Sequence, residues 1–253
     1  MRAPEDFAKH LTANRYHPRS NAHSNALGHL IIRDLVENCP RIAQHASKGQ
    51  LVYDINYKIQ AGTTEWNIDY VLGQPAEVAG PPPGGEVIRR ARPSYLRIAI
   101  EAKAVMTEHG KAQRNRQRDI DAFHQHVHAS DNDTIAAGIV VLNIADTFCS
   151  PLRNKQTECP KCGHQFQPLL VTTHEQPKTL VKTGVTLFRG LPGRSRPEDI
   201  GLEAMCVVVV DYSNRQKAVA RVQTKSPAPE VGDPLHYDHF IQVICQRYTS
   251  RWP

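Results

Sequence analysis

Glu101 and Lys103 stand two residues apart in the apolar run Ile98-Ala99-Ile100-Glu101-Ala102-Lys103-Ala104-Val105. A strand is the expected conformation of that run. Alternation then puts Glu101 and Lys103 on one face with Ala99 and Val105, and Ile98, Ile100, Ala102 and Ala104 on the other. An acid and a lysine inside an apolar strand are costly to bury unless a metal, a partner or a substrate compensates. Asp69 lies in the preceding strand-like run, Trp66-Asn67-Ile68-Asp69-Tyr70-Val71. If the two strands pair across the segment between them, Asp69 reaches Glu101. The set suits phosphodiester hydrolysis. Carboxylate oxygens hold a magnesium ion that polarises the phosphate and the attacking water, and a lysine supports that water and the developing charge. The plainer alternative is a salt-bridged Glu–Lys pair on a half-exposed strand. An acid-x-Lys tripeptide arises by chance about once in a chain of this size. Here its single occurrence lies in the most strand-like run of the middle third.

The elements that must position these residues follow from periodicity and punctuation. Residues 1–20 are polar and expected to be irregular. The spacing of Leu27, Leu30, Ile31, Leu35 and Ile42 predicts a helix over 20–47, with Ser20 or Asn21 as its cap and Gly49 just past its end. Asp34 falls inside that apolar stripe and Glu37 at its edge. Strands are expected over 51–59 and 64–72. The segment 73–94 is rich in Pro and Gly and reads as a long loop, with Arg89, Arg90 and Arg92 on its return limb. The strand 95–105 follows, then a basic helix over 111–128 whose inward stripe is Ile120, Phe123 and Val127. The run 137–143 reads as a buried strand. Residues 184–194 are expected to be irregular and 197–204 a short helix. Strands over 205–211 and 218–223 and a helix over 235–248, with Tyr237, Ile241, Ile244 and Tyr248 on one face, complete the chain. This order predicts an α/β fold with a central mixed sheet flanked by helices.

Asp69, followed after 31 residues by Glu101-Ala102-Lys103 within Ile-Ala-Ile-Glu-Ala-Lys-Ala, resembles the motif of the PD-(D/E)XK nuclease superfamily, and of restriction endonucleases in particular. The resemblance covers residues from about 24 to 145. It departs at Ile68, which stands where the motif has proline. It implies a restriction-endonuclease-like core in which Asp69 and Glu101 bind magnesium and Lys103 orients or helps deprotonate the water. The products would carry a 5′-phosphate and a 3′-hydroxyl. Members often add an acid from the first core helix, for which Asp34 is the better candidate by face and Glu37 its rival. They also often add a polar residue from the helix after the motif. Gln113 and Arg116 continue the inward stripe there, and either could touch the scissile phosphate. Lys111, Arg114, Arg116 and Arg118 fit phosphate neutralisation as a group, although a solvated basic face explains each one singly. Arg89, Arg90 and Arg92 could reach a groove of the DNA.

The run Cys159-Pro160-Lys161-Cys162-Gly163-His164 looks like a zinc knuckle, since Cys-x-x-Cys followed by Gly lets two thiolates converge on one ion. A second such pair is missing. Cys149, His164 and His174 are the nearby residues that would complete a structural zinc site, and Cys206 and Cys245 are more distant. The alternative is a decayed knuckle with two free thiols. His124, His126 and His128 do not share one helical face and are expected at a helix end or in solvent, not as ligands. The six cysteines are otherwise scattered, and no disulfide framework is expected.

The 253 residues suffice for a buried core, and 40% hydrophobic with 22% charged residues excludes a disordered chain. A formal net charge of +6 is compatible with a polyanionic partner. No run approaches the roughly 18 to 20 apolar residues of a membrane span, and a cytoplasmic protein is expected. The organisation expected is a nuclease core over 1–148, a zinc-binding insert over 149–175, and further sheet and helix elements over 176–253 that serve recognition or dimerisation. The function expected is a magnesium-dependent endonuclease on double-stranded DNA, acting as a homodimer, of the Type II restriction kind. A catalytically silent nucleic-acid-binding module of the same fold and a repair or recombination nuclease are the alternatives.

Overall fold

The computed structural model describes residues 2–61, 63–154, 167–196 and 198–253. Three helices come first: α1 (Ala3–Ala13), α2 (Asn21–Asn38) and α3 (Pro40–Ser47). The strands β1 (Val52–Ala61), β2 (Thr64–Gln74) and β3 (Tyr95–Val105) follow, then α4 (His109–Ser130) and β4 (Ile135–Asn143). A two-stranded pair, β5 (Thr147–Phe148) and β6 (Thr172–Thr173), precedes α5 (Pro177–Arg189), β7 (Ala204–Asp211), β8 (Arg221–Gln223) and α6 (Tyr237–Arg251). The main sheet has six strands in the order β1-β2-β3-β4-β7-β8. β3, β4 and β7 are parallel, and β1, β2 and β8 are antiparallel to their neighbours. The chain is thus an α/β protein with a mixed sheet flanked by helices. β4 is buried along its whole length, as a parallel strand covered on both faces must be. α1, α2, α3 and α6 pack on one face, and α4 and α5 on the other.

Five features depart from the expectation from sequence. Residues 3–13 are helical, because Phe7, Ala8 and Leu11 form a buried stripe behind Pro4, Glu5 and Asp6 in the first turn. The helix expected over 20–47 is broken at Pro40, which lacks an N–H and excludes helical backbone at Cys39. Residues 184–189 belong to a helix whose buried face is Val181, Val185 and Phe188, entered through Pro177. The described residues of 198–203, expected to form a short helix, are irregular instead, with Leu202 bridged to Gly193. Cys39 and Cys245 form a disulfide that ties the break between α2 and α3 to α6. Their separation of 206 residues is no signal in a sequence.

The start of α2 is seated on β2 through Gly28. A Cβ at that position would lie 2.0 Å from Cε1 of Tyr70, whose buried ring donates its hydroxyl to the Ser24 carbonyl. Gly28→Ala is therefore expected to destabilise the protein by about 1–3 kcal/mol, although alanine favours helix by about 1 kcal/mol. Urea unfolding of the variant measures this. An unchanged or raised midpoint would mean that α2 can shift freely on the sheet.

Candidate active site

The site forms where β2 and β3 part. Their ladder ends at the pair Tyr70↔Ile100, while β3 continues beside β4 from Glu101↔Gly138 to Val105↔Leu142. One edge of β3 is therefore without a strand from Glu101 onward. Asp69 takes up the first free donor, its Oδ2 accepting from the Ala102 N–H at 2.9 Å. On the other side of β2, the ladder with β1 skips the position of Asp69, passing from Ile55↔Tyr70 to Tyr57↔Ile68. The skipped β1 residue, Asn56, has φ of 53°, a left-handed backbone that asparagine tolerates better than most side chains. Both ladders of β2 are thus interrupted at Asp69, where its side chain meets the free edge of β3.

Lys103 lies between the two carboxylates. Its Nζ donates to Glu101 Oε1 and stands 3.7 Å from Asp69 Oδ2. Glu101 is only 2% exposed, and its second oxygen, Oε2, is buried with no hydrogen-bond partner among the described residues. Burial, and then the charge of Asp69, push the Glu101 carboxyl up to about 7, against the pull of Lys103. Burial works against the charged form of Lys103, but Glu101 and Asp69 together outweigh it and hold the ammonium above its ordinary range. Two carboxylates with one cation leave an uncompensated negative charge and an orphaned oxygen at one point. A divalent cation held by two carboxylates and waters, as magnesium commonly is, would satisfy both. Among the described residues no group of three or more His, Cys, Asp or Glu converges, so a wholly protein-ligated metal cage is absent there.

A cleft of about 210 Å³ opens beside this constellation. Asp69, Lys103 and Arg116 lie on its wall together with Ser20, Asn21 and Ser24 from the start of α2, and Tyr16 from the segment before it. Ser20 caps α2, its Oγ accepting from the Ala22 N–H at 3.2 Å. The positive end of α2 thus faces the cleft, which favours an anionic ligand. His23 also lines the wall. Its Nε2 accepts from the His17 N–H at 3.1 Å and its Nδ1 faces His10 Nε2 at 3.2 Å, so both ring nitrogens are engaged in holding the segment. Tyr16 and His23 carry no motif.

The structure brings Asp69, Glu101, Lys103 and Arg116 together and sends the other candidates elsewhere. Asp34 is 1% exposed, ten residues beyond Ser24 and so about 15 Å farther along α2. Its Oδ2 accepts from the backbone N–H groups of Arg2 and Ala3, both at 2.9 Å, and so it caps α1. Asp34→Ala is expected to lower stability by about 2–4 kcal/mol, since two N–H groups and Arg33 lose a buried partner. Per folded molecule, the activity proposed below should be unchanged. Parallel thermal melts and activity assays check this, and a selective loss of activity would return Asp34 to the site. Glu37 is exposed and lies 3.9 Å from Arg33.

Gln113 is buried and donates to the Leu180 carbonyl at 3.0 Å, tying α4 to α5 instead of facing the cleft. Arg116 pairs with Asp119 at 2.8 Å and remains half exposed at the cleft wall. Lys111 and Arg114 are exposed on the same helix. Arg90 is 3.4 Å from Asp54, Arg92 lies over the Tyr57 ring, and Arg89 donates to the Pro81 carbonyl, all along the β1 edge of the sheet. The three histidines lie in the last two turns of α4, as expected, but not in solvent: His124 and His128 are buried, and His126 stacks on Trp66. Cys159, Cys162 and His164 lie outside the described residues. Of their suggested partners, Cys149 is a buried free thiol. His174 is engaged at both ring nitrogens, with the Ala145 carbonyl and Thr107.

No protein-family model, curated protein or solved structure matches the chain.

Proposed function

We propose that the protein is a magnesium-dependent endonuclease of the PD-(D/E)XK type, acting on double-stranded DNA. The observation that carries this is the buried, unpartnered Glu101 Oε2 beside Asp69 and Lys103, at the strand edge that β2 leaves open. When bound, magnesium polarises the phosphate and makes its water a better nucleophile. Asp69 and Glu101 are the residues that would hold it. Lys103 keeps a positive charge beside both carboxylates, where it can orient the attacking water and offset charge that develops on the phosphate. Arg116 and the start of α2 place positive charge along the wall, where a phosphodiester backbone would lie. Hydrolysis would leave a 5′-phosphate and a 3′-hydroxyl.

A Type II restriction enzyme, cytoplasmic and homodimeric, fits this chemistry, because cutting both strands of a symmetric site suits a two-fold assembly. Purified protein incubated with unmethylated and methylated plasmid and phage DNA, with magnesium or with chelator, tests the proposal. Discrete fragments formed only with magnesium are expected, and their ends would reveal the site. Retained DNA binding with no cleavage of any of these substrates would leave a catalytically silent binding module.

A further inference from the structure

A second polar concavity, of about 160 Å³, lies at the other end of α4 from the cleft. Its lining is Arg194, Ser195, Arg196, Arg247, Ser250 and Arg251, four guanidinium groups and two hydroxyls with no carboxylate among them. Arg194 is only 4% exposed, and it is held from behind. The fully buried Glu203 accepts from Arg194 Nη1 at 3.1 Å and from Arg251 Nη2 at 2.7 Å. Arg194 also donates to the carbonyl and the side-chain oxygen of Asn132, at 2.8 and 3.0 Å. Arg251 donates to the Asp133 carbonyl at 2.8 Å. On the rim, Arg196 lies 3.6 Å from Glu198 and 3.3 Å from Asp199. Arg247 makes no ion pair among the described residues, and its one hydrogen bond is a long one, 3.4 Å to the Arg194 carbonyl.

We propose that this pocket binds a phosphate group, either free or on a nucleic-acid strand. Three carboxylates stand against four guanidinium groups, so the charge of Arg247 is left over. Arginines in the last turn of a helix also answer the negative end of its dipole. That accounts for Arg247 and Arg251 as helix-end residues, and Glu203 accounts for the buried Arg194, but neither accounts for Arg196 and Arg247 meeting at one concavity from two segments. Planar guanidinium forks fixed in position match the oxygens of a phosphate, and the serine hydroxyls add donors. The pocket lies near the C-terminal end of α4, 14 residues from Arg116 and so about 21 Å away along the helix. A phosphate bound here is therefore not one being cut at Asp69, and the proposal stands independently of the nuclease assignment.

Calorimetric titration of the full chain with inorganic phosphate, at constant ionic strength set with chloride, tests it. Saturable binding in the millimolar range or tighter is expected. Arg247→Ala and, separately, Arg196→Ala should each weaken it about tenfold with an unchanged melting temperature, whereas Lys225→Ala on the surface should not. A second arm, duplex DNA binding in chelator, separates the sources. If the natural ligand is a backbone phosphate, Arg247→Ala lowers duplex affinity and reduces the salt slope by about 1. If it is a free or terminal phosphate, duplex affinity stays as it was while phosphate binding falls. No saturable binding up to about 10 mM, or equal binding by wild type and both arginine variants, would overturn the proposal.

Discussion

Lys103→Ala is expected to lower magnesium-dependent DNA cleavage by about 10³-fold while leaving duplex affinity within about threefold, the size of loss typical of removing one preorganised charge from a reacting centre. Lys103 is the only cation within 4 Å of both Glu101 and Asp69 among the described residues. It faces the strand edge that β2 leaves open, where a phosphate has access. The affinity should survive because Arg116 and the start of α2 still line the cleft. Removing the ammonium also leaves two carboxylates together, so the variant must be checked for folding by circular dichroism before rates are compared. Single-turnover cleavage at saturating protein separates the chemical step from binding. A folded variant that cuts at the wild-type rate would remove Lys103 from the mechanism and leave it a structural counter-ion of Glu101.

Glu101→Gln should stabilise the metal-free protein at pH 8 and abolish its response to magnesium. The Glu101 carboxyl is pushed from its ordinary 4.5 up to about 7 by burial and by Asp69. As pH rises through that window, the unfolded chain gives up the proton first, and the folded chain retains it. Stability is therefore lost between about 4.5 and 7, and the loss is complete above that. Glutamine cannot ionise and escapes the loss. At pH 8 the variant should melt several degrees higher, corresponding to about 1–3 kcal/mol, and the two proteins should converge near pH 4.5. Magnesium should raise the melting temperature of the wild type at pH 8 and leave that of the variant unmoved, because binding to the folded state alone is stabilising. Melting curves with and without magnesium across this pH range are the measurement. Equal responses of both proteins to the ion would place the magnesium site away from Glu101.

Much of this site can be read along the chain because its chemistry is local. Glu101 and Lys103 share a face of β3 by simple alternation, with Ala99 and Val105 on the same side and Ile98 and Ile100 on the other. The strand bounds 95–105 and the inward stripe of α4 follow from periodicity in the same way. Asp34 shows where this kind of reasoning stops. A carboxylate on an apolar helical stripe looks like a site residue, but its partner is the start of another helix, 31 positions away for Ala3. The helix over residues 3–13 carries its own apolar stripe, but the side chain that caps it comes from outside its own sequence.

The sequence by itself determined the α/β class, the strand that carries Glu101 and Lys103, and the chemistry that their types and spacing permit. These depend on periods of two and near four residues, which the backbone imposes on any chain. Only the tertiary structure decided that β2 leaves β3 at Tyr70, that the β1 ladder skips Asp69 opposite a left-handed Asn56, and that one Glu101 oxygen is buried without a partner. It also decided that Arg116 faces the cleft while Gln113 holds α5, and that four arginines from two distant segments line one pocket. The physical reason is the same in each case. Desolvation, ladder termination and charge compensation depend on which segments meet in space, and residues far apart in the chain leave no periodic trace of that meeting.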